Sequence, residues 1–186
     1  VDVRKQNVAR QVNRRAADAV RNIAQRSDPF VVARENKNRM AEFEAHNLAE
    51  DGDVLVIAGV PGVSNMGGIS ALTGRRQGER GAIVMGGIRD VAHSRSEGHP
   101  IWASEVTPVT GKWRLETVEI NGEIDMAGVR VNAGDLVIAD DTGVVFVPRA
   151  DIMRVLELCE KKKGGEDNRI GAIKEGVPVT VFYNKG

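Results

Sequence analysis

An arginine and an aspartate stand side by side at the end of an apolar stretch. The stretch is GAIVMGGIRD, residues 81–90, and the pair is Arg89-Asp90. A carboxylate at the mouth of a cleft can bind Mg²⁺ or Mn²⁺, which take oxygen ligands and often keep several waters. The planar guanidinium of the adjacent arginine suits a substrate carboxylate. The pair therefore indicates either a metal-assisted site for an anionic substrate or a simple helix cap.

A glycine-rich loop, PGVSNMGGIS, is the second candidate element and follows the apolar run DVLVIAGV. Loops at the carboxyl ends of strands gather where ligands bind in open α/β sheets. Backbone N–H groups at a helix start attract carboxylates and phosphates. Gly67-Gly68 leading into Ile69-Ser70 fits such a cradle, although a tight turn that needs glycine explains the loop equally well. The spacing matches neither a Walker loop nor a dinucleotide-binding fingerprint.

Other polar residues give weaker signals. His93 follows the Arg-Asp pair by about one helical turn and can face the same cleft, but a lone histidine there is more often a capping or surface residue. Asp140-Asp141 in ADDTG is typical of a hairpin turn held by side-chain hydrogen bonds. Neither Ser64 nor Ser70 has a histidine in a motif that would make it a nucleophile.

Two strand-helix units must position these loops, and an all-β region follows them. Apolar runs of strand length occupy residues 53–60, 81–87 and 99–105, and a helix is predicted over residues 69–79. The second half alternates apolar and polar residues between turn signals, which is typical of antiparallel strands. A C-terminal amphipathic helix is predicted from residue 149. This order predicts an α/β layer packed against a β layer.

Residues 1–26 carry apolar side chains at helical spacing, which predicts an N-terminal helix with an arginine-rich, solvated face. A second helix is predicted over residues 38–50. The chain has 186 residues, which suits one domain with an added helical arm. Its single cysteine, Cys159, excludes an internal disulfide and is expected to be a buried thiol.

The charges balance, with 26 Lys+Arg against 26 Asp+Glu. Net charge therefore gives no reason to expect nucleic acid or a membrane surface as a partner. No apolar run approaches the roughly 20 residues that a membrane span needs. A soluble, cytoplasmic protein is expected.

Several motifs, in this order and spacing, resemble the RraA-like family: GDVLVIAG, the glycine loop, GAIVMGGIRD, TPVTGK and GVRVNAGDLVIADDTGVVFVP. The resemblance covers roughly residues 50–178. The family includes the regulator of ribonuclease E activity and class II aldolases for 4-hydroxy-4-methyl-2-oxoglutarate and 4-carboxy-4-hydroxy-2-oxoadipate. It implies a swivelling β/β/α domain at 49–186, after an N-terminal helical segment at 1–48. A homotrimer or homohexamer with active sites at subunit interfaces is implied as well.

The resemblance also implies residue roles. Asp90 anchors a divalent metal, Mg²⁺ or Mn²⁺, and Arg89 contacts the substrate and stabilises an enolate. Lys112 matches a family lysine near the site, with a solvated turn lysine as the alternative. The pyruvyl carboxylate is bound by the backbone amides of Gly67, Gly68, Ile69 and Ser70. A glutamate from a neighbour's C-terminal helix, with Glu166 and Glu160 as candidates, is a further implied contributor.

One position departs from the family pattern. The aldolases carry an aspartate about twenty residues before the Arg-Asp pair, where this chain has Gly68. The implied function is a metal-dependent lyase that acts on a 2-oxo dicarboxylic acid through a pyruvate enolate, by retro-aldol cleavage or by decarboxylation. The missing carboxylate favours decarboxylation or an unusual substrate, since decarboxylation needs no base to start. The alternative is a non-catalytic regulatory or protein-binding subunit.

Overall fold

The computed structural model describes the backbone of residues 20–27, residues 40–178 and residue 180. The chain forms two compact units, Val1–Arg149 and Ala150–Gly186. The strands are β1 Val20–Ser27, β2 Val54–Ala58, β3 Ser64–Met66, β4 Gly81–Ile88, β5 Ile101–Val106, β6 Leu115–Ile120, β7 Ile124–Met126, β8 Val129–Val131, β9 Leu136–Asp140 and β10 Gly143–Val147. The helices are α1 Glu42–Leu48, α2 Gly68–Gln77, α3 Val91–Ser96 and, in the second unit, α4 Ile152–Lys174; a short 3-10 turn spans Arg149–Asp151.

A six-stranded sheet forms the centre of the first unit, with strand order β3-β4-β2-β1-β6 and with β5 also paired to β4. Strands β1 to β5 pair in parallel, whereas β6 runs antiparallel to β1. Strands β2 and β4 are nearly continuous apolar runs, as expected for parallel strands that are covered on both faces. The carboxyl end of β4 therefore lies at the centre of the sheet edge that carries the candidate loops.

Alternate residues of the central strands build two separate apolar clusters. Leu55 and Ile57 of β2 join the cluster that includes Ala45 of α1 and Ala71 of α2. Val56 packs instead in the second cluster, whose other members come from β4, β5 and the small strands β7 to β10. The sheet thus has helices on one face and β-structure on the other. The predicted α/β class, with an α/β layer on a β layer, is confirmed.

The helix predicted over residues 1–26 is wrong for residues 20–26, which belong to β1. This strand pairs in parallel with β2, in the register Val20↔Val54, and antiparallel with β6. Pairing on both sides supplies backbone hydrogen bonds along the strand, and such tertiary context overrides helical periodicity. Strand β1 lies before the boundary predicted between residues 48 and 49, yet it pairs with β2 after it. Residues 1–19 lie outside the described part of the chain.

Helix α4 is longer than the predicted stretch, since it continues through Gly164 and Gly165 to Lys174. Its cysteine, Cys159, is free and exposed, so the expectation of a buried thiol is wrong. The physical reason is that only Ile152 of this helix is buried, while apolar residues such as Leu158 face solvent. Among the described helices, none is both long and apolar enough to span a membrane.

Candidate active site

The Arg-Asp pair lies in the two-residue link between β4 and α3. Asp90 adopts the left-handed backbone conformation, with φ 57° and ψ 37°. This conformation is uncommon outside glycine, but aspartate and asparagine tolerate it best. The amide of Arg89 donates to the carbonyl of Met66 at 3.1 Å, which holds the link against the neighbouring loop. The pair and the glycine loop are therefore brought together, as the sequence predicts.

One oxygen of the Asp90 carboxylate is held by the protein. Its Oδ2 accepts from the backbone N–H of Gly68 at 3.1 Å and lies 3.3 Å from Nε of Arg89. The carboxylate therefore caps the N-terminus of α2, a helix that begins 22 residues earlier in the chain. No donor among the described residues reaches Oδ1, and the Asp90 side chain is 47% exposed. Asp90 can therefore cap α2 through Oδ2 and still coordinate a cation through Oδ1.

The Arg89 guanidinium bridges two parts of the site. Besides the contact with Asp90, its terminal nitrogen donates to Oγ1 of Thr110 at 3.2 Å. A carboxyl group on α1, that of Glu42, is buried within electrostatic reach. Burial raises the pKa of Glu42, and the positive charge of Arg89 acts in the opposite direction. The Arg89 side chain is still 38% exposed, so it can meet a ligand.

Gly67 permits the close approach of the Arg-Asp pair to the start of α2. A Cβ at this position would lie 3.0 Å from Oδ2 of Asp90 and 3.2 Å from the Arg89 side chain. The next amide, that of Gly68, is already used by Asp90. Of the predicted cradle, the N–H groups of Ile69 and Ser70 remain in the first helical turn, where no intrahelical partner exists.

Gly68 faces the His93 imidazole. A Cβ built on Gly68 would lie 2.7 Å from Nδ1 of His93 and 3.1 Å from Cβ of Asp90. On its other side, Nε2 of His93 lies 3.5 Å from Oε1 of Glu97. The space beside Asp90 in which a side chain of residue 68 would start is thus taken by a histidine from α3.

The turn that carries Lys112 lies beside Arg89, but the ammonium group points elsewhere. The Lys112 amide donates to the same Thr110 hydroxyl oxygen that accepts from Arg89. Its Nζ lies 4.9 Å from the centre of the Trp113 ring, which is a cation-π distance. A catalytic role for Lys112 stays a prediction.

The Asp140-Asp141 segment is a hairpin turn, as its sequence indicates. Oδ1 of Asp140 accepts from the amides of Thr142 at 2.7 Å and Gly143 at 3.3 Å. The hydroxyl and amide of Thr142 lower the pKa of the Asp140 carboxyl. This aspartate therefore has a structural role between β9 and β10.

A buried serine-histidine-glutamate chain was missed by the sequence reasoning. Oγ of Ser70 lies 2.6 Å from Nε2 of His46, and Nδ1 of His46 lies 2.8 Å from Oε1 of Glu79. The three residues are 24 and 33 positions apart, so no local motif signals the contact. His46 and Glu79 have fully buried side chains, which leaves no access for a substrate. The chain instead ties α1 to the first turn of α2.

His99 is a buried histidine that lies next to Glu79. Nε2 of His99 lies 4.0 Å from Oε2 of Glu79, and neither ring nitrogen has a hydrogen-bond partner in the described part of the chain. Burial, assisted by the charges of His46 and Arg75, lowers the pKa of His99 from 6.5 to about 4. The folded protein therefore keeps this imidazole neutral.

We expect the free energy of unfolding to fall as the pH drops from 6.5 towards 4. In that window the unfolded chain protonates His99 and the folded chain does not, so the slope contributed is at most about 1.4 kcal/mol per pH unit. The raised pKa of Glu42 acts in the opposite sense, because its protonation favours the folded state. Urea denaturation between pH 7.5 and 4.5 should show a flatter dependence for His99→Gln than for the unaltered protein. An equal dependence of the unfolding free energy on pH in the two proteins would contradict the lowered pKa of His99.

The donor set suits a hydrated hard cation held by Asp90. No group of three or more His, Cys, Asp or Glu side chains able to hold a metal occurs among the described residues. That excludes a preformed protein cage in this part of the chain. Mg²⁺ commonly binds through one or two carboxylates and keeps several waters. The half-exposed Asp90, with Oδ1 free of described donors, fits that mode.

Comparison with known proteins agrees with this architecture. A family model, described as RraA-like (Aldolase/RraA), matches residues 12–146. A Halalkalibacterium halodurans protein with the provisional name 4-hydroxy-4-methyl-2-oxoglutarate aldolase is 29% identical over 148 residues, covering 78% of this chain and 70% of that protein. An uncharacterized protein of Methanocaldococcus jannaschii is 31% identical over 100 residues, 54% of this chain. The matched region spans about half, 48%, of that relative's length.

A solved structure extends the comparison to three dimensions. Streptomyces coelicolor RraAS2, described as an unusual member of the RNase ES inhibitor RraA protein family, superposes with a TM-score of 0.66 at 27% identity. The superposition covers 81% of this chain and 74% of RraAS2. Because the family model covers most of the chain and the fold is shared, the chain belongs to the RraA-like family.

Proposed function

We propose that this protein is a divalent-metal-dependent lyase that acts on a 2-oxo dicarboxylic acid through a pyruvate enolate. Decarboxylation of an oxaloacetate-type substrate is favoured over retro-aldol cleavage. The observation that carries the proposal is the Arg89-Asp90 pair, held against the start of α2 with one carboxylate oxygen bound and the other open. The name of the H. halodurans relative supports a substrate of this class.

The proposed roles follow from the contacts of each residue. Asp90 would hold Mg²⁺ or Mn²⁺ through Oδ1, because Oδ2 is already engaged by Gly68 and Arg89. The bound cation supplies Lewis acidity at the keto and carboxylate oxygens. Arg89 is fixed by Asp90 and Thr110, so its remaining N–H groups are oriented to stabilise negative charge on the substrate. The free amides of Ile69 and Ser70 would bind the substrate carboxylate.

The preference for decarboxylation rests on the chemistry of bond cleavage. Retro-aldol cleavage needs a base to remove the proton of the substrate hydroxyl group. Decarboxylation needs none, because the bonding electrons move directly into the enolate. Gly68 contributes no side chain, so α2 offers no carboxylate beside Asp90. Both reactions share the enolate and therefore the same need for Arg89 and the cation.

The proposed assembly is a homotrimer or homohexamer. Apolar side chains close in sequence to the site are exposed in the isolated chain, with Ile69 at 68%, Val106 at 70% and Val109 at 39%. In such an assembly these exposed apolar side chains would be covered by a second copy. A second copy would shield the site from water, which would strengthen its electrostatic interactions.

The test is pyruvate formation from oxaloacetate and from 4-hydroxy-4-methyl-2-oxoglutarate, measured above the rate of the metal ion alone. We expect turnover that needs Mg²⁺ or Mn²⁺ and stops with a chelator, with malate, which lacks the keto group, as the inert control. The Arg89→Met variant should lower kcat/KM about tenfold to thirtyfold through lost charge-assisted hydrogen bonds. Arg76→Met, at the exposed end of α2, is the matched control. Absence of turnover with either acid, together with no metal binding by calorimetry, would exclude the lyase.

A second candidate function is regulation through protein contacts. It is supported by the similarity to RraAS2, which is described within an inhibitor family of RNase ES. A regulatory subunit has no need of a charged Asp90. Binding to a ribonuclease E-type enzyme that Asp90→Asn leaves unchanged, in a protein without lyase turnover, would favour this function.

A further inference from the structure

The contact between Gly68 and His93 goes beyond the usual reason for a glycine. Gly68 is not among the glycines with positive φ, so its backbone conformation does not require glycine. A Cβ would meet Nδ1 of His93 at 2.7 Å and Cγ at 3.0 Å, so a side chain at residue 68 would require the half-exposed imidazole to move. Real Cβ atoms essentially never approach a heavy atom that closely. Any larger residue at position 68 would displace the imidazole.

His93 has the surroundings of a proton-transfer group. It lies one helical turn after Asp90 on α3, and its side chain is 44% exposed. Nε2 lies 3.5 Å from Oε1 of Glu97, one turn further along the same helix. A carboxylate at one ring nitrogen orients an imidazole and leaves the other nitrogen to exchange a proton. That other nitrogen, Nδ1, faces Gly68 beside the Asp90 side chain.

We propose that His93 is the catalytic residue that transfers the proton in this site, that Glu97 positions it, and that Gly68 admits it. This inference rests on the proposed lyase function. When the bond to the leaving carboxylate breaks, CO₂ departs and its bonding electrons form the pyruvate enolate. The enolate carbon then takes the Nδ1 proton of the His93 imidazolium, whose Nε2–H faces Glu97, which gives the methyl group of pyruvate and leaves a neutral imidazole. The imidazole regains a proton from solvent.

A surface ion pair does not explain the same arrangement. Exposed pairs such as His93 and Glu97 contribute little to stability, and they require nothing of residue 68. The matched shapes of Gly68 and His93 instead place a titratable ring where a side chain of α2 would otherwise start. The imidazole and the Asp90 side chain therefore both border the same point beside Gly68.

Proton exchange at the methyl group of pyruvate tests the inference without bond cleavage. In D₂O with Mg²⁺, proton NMR should show loss of the methyl signal in the presence of the unaltered protein. His93→Gln should lower that rate about 10²-fold, the usual size of a general acid-base contribution, while Mg²⁺ affinity and the Tm stay unchanged. Oxaloacetate disappearance should fall less, because CO₂ release precedes the protonation. Arg95→Gln, on the same helix, is the control.

Two further variants separate proton transfer from a structural role. Added imidazole should restore exchange to His93→Ala, because the residue is half exposed. The double variant Gly68→Asp with His93→Ala should also regain exchange, since the new carboxylate enters the vacated space, whereas Gly68→Asp alone should not exceed the unaltered protein. A His93→Gln variant with unchanged exchange would overturn the proposal while the lyase function stands. If the unaltered protein catalyses neither methyl exchange nor decarboxylation, both the role of His93 and the lyase function are overturned.

Discussion

Changing Asp90 to asparagine is expected to lower kcat/KM for oxaloacetate about 10³-fold and to weaken Mg²⁺ binding by a similar factor, the size typical of a lost electrostatic group in a catalytic site. Among the described residues, the Asp90 carboxylate is the one acidic side chain within ion-pair distance of Arg89. Asparagine keeps an oxygen that can accept the Gly68 N–H, and it tolerates the left-handed backbone of Asp90. The variant therefore removes charge and leaves the fold intact.

The choice of asparagine over alanine decides what this experiment measures. Alanine at φ 57° would add strain of about 1–2 kcal/mol and would release the cap of α2, so lost activity would mix two causes. Titration calorimetry with Mg²⁺, steady-state kinetics and thermal unfolding should be compared with Asp51→Asn, an exposed aspartate in a turn. An Asp90→Asn protein with full metal affinity would show that the cation binds elsewhere.

The second large effect concerns stability at Gly74, in the middle of α2. Alanine normally stabilises a helix interior by about 1 kcal/mol relative to glycine. Here a Cβ would contact the Glu79 carboxylate and lie 3.0 Å from Cε1 of His46, and both of those side chains are fully buried. Overpacking of this kind costs about 1–3 kcal/mol, so steric cost outweighs helix propensity. We expect the difference between these two terms, so Gly74→Ala should lower the free energy of unfolding by about 1 kcal/mol.

The same substitution on α4 provides the matched control. A Cβ at Gly171 would have nothing within 4 Å apart from the neighbouring backbone of its own helix. Gly171→Ala should therefore show the ordinary gain in unfolding free energy of about 0.5–1 kcal/mol. Urea denaturation of both variants, with the m-value as a check on compactness, measures the difference in sign. If Gly74→Ala is stabilised to the same degree, the buried chain of Ser70, His46 and Glu79 must have room to move.

The local sequence pattern determined which strands and loops form the site. The β-branched residues of β2 and the apolar residues of β4 form strands that are buried on both faces. The apolar composition of both runs predicts this burial. The candidate loops follow those strands, so the meeting of Gly68 with Asp90 was predictable from the order of elements. The hairpin at Asp140 was predictable for the same local reason, since turn residues bond to their own backbone.

The tertiary structure alone decided the contacts between distant residues. Residues 20–27 carry a helical period but form β1, because the sheet offers hydrogen-bond partners on both of its sides. The hydrogen bond between Ser70 and His46 depends on how α1 packs against α2. The spacing of these residues in the sequence does not predict that packing. The sequence by itself determined that a carboxylate is absent at Gly68. Only the packing of α3 against α2 decided that His93 lies there instead, since a missing side chain leaves space that any neighbour can fill.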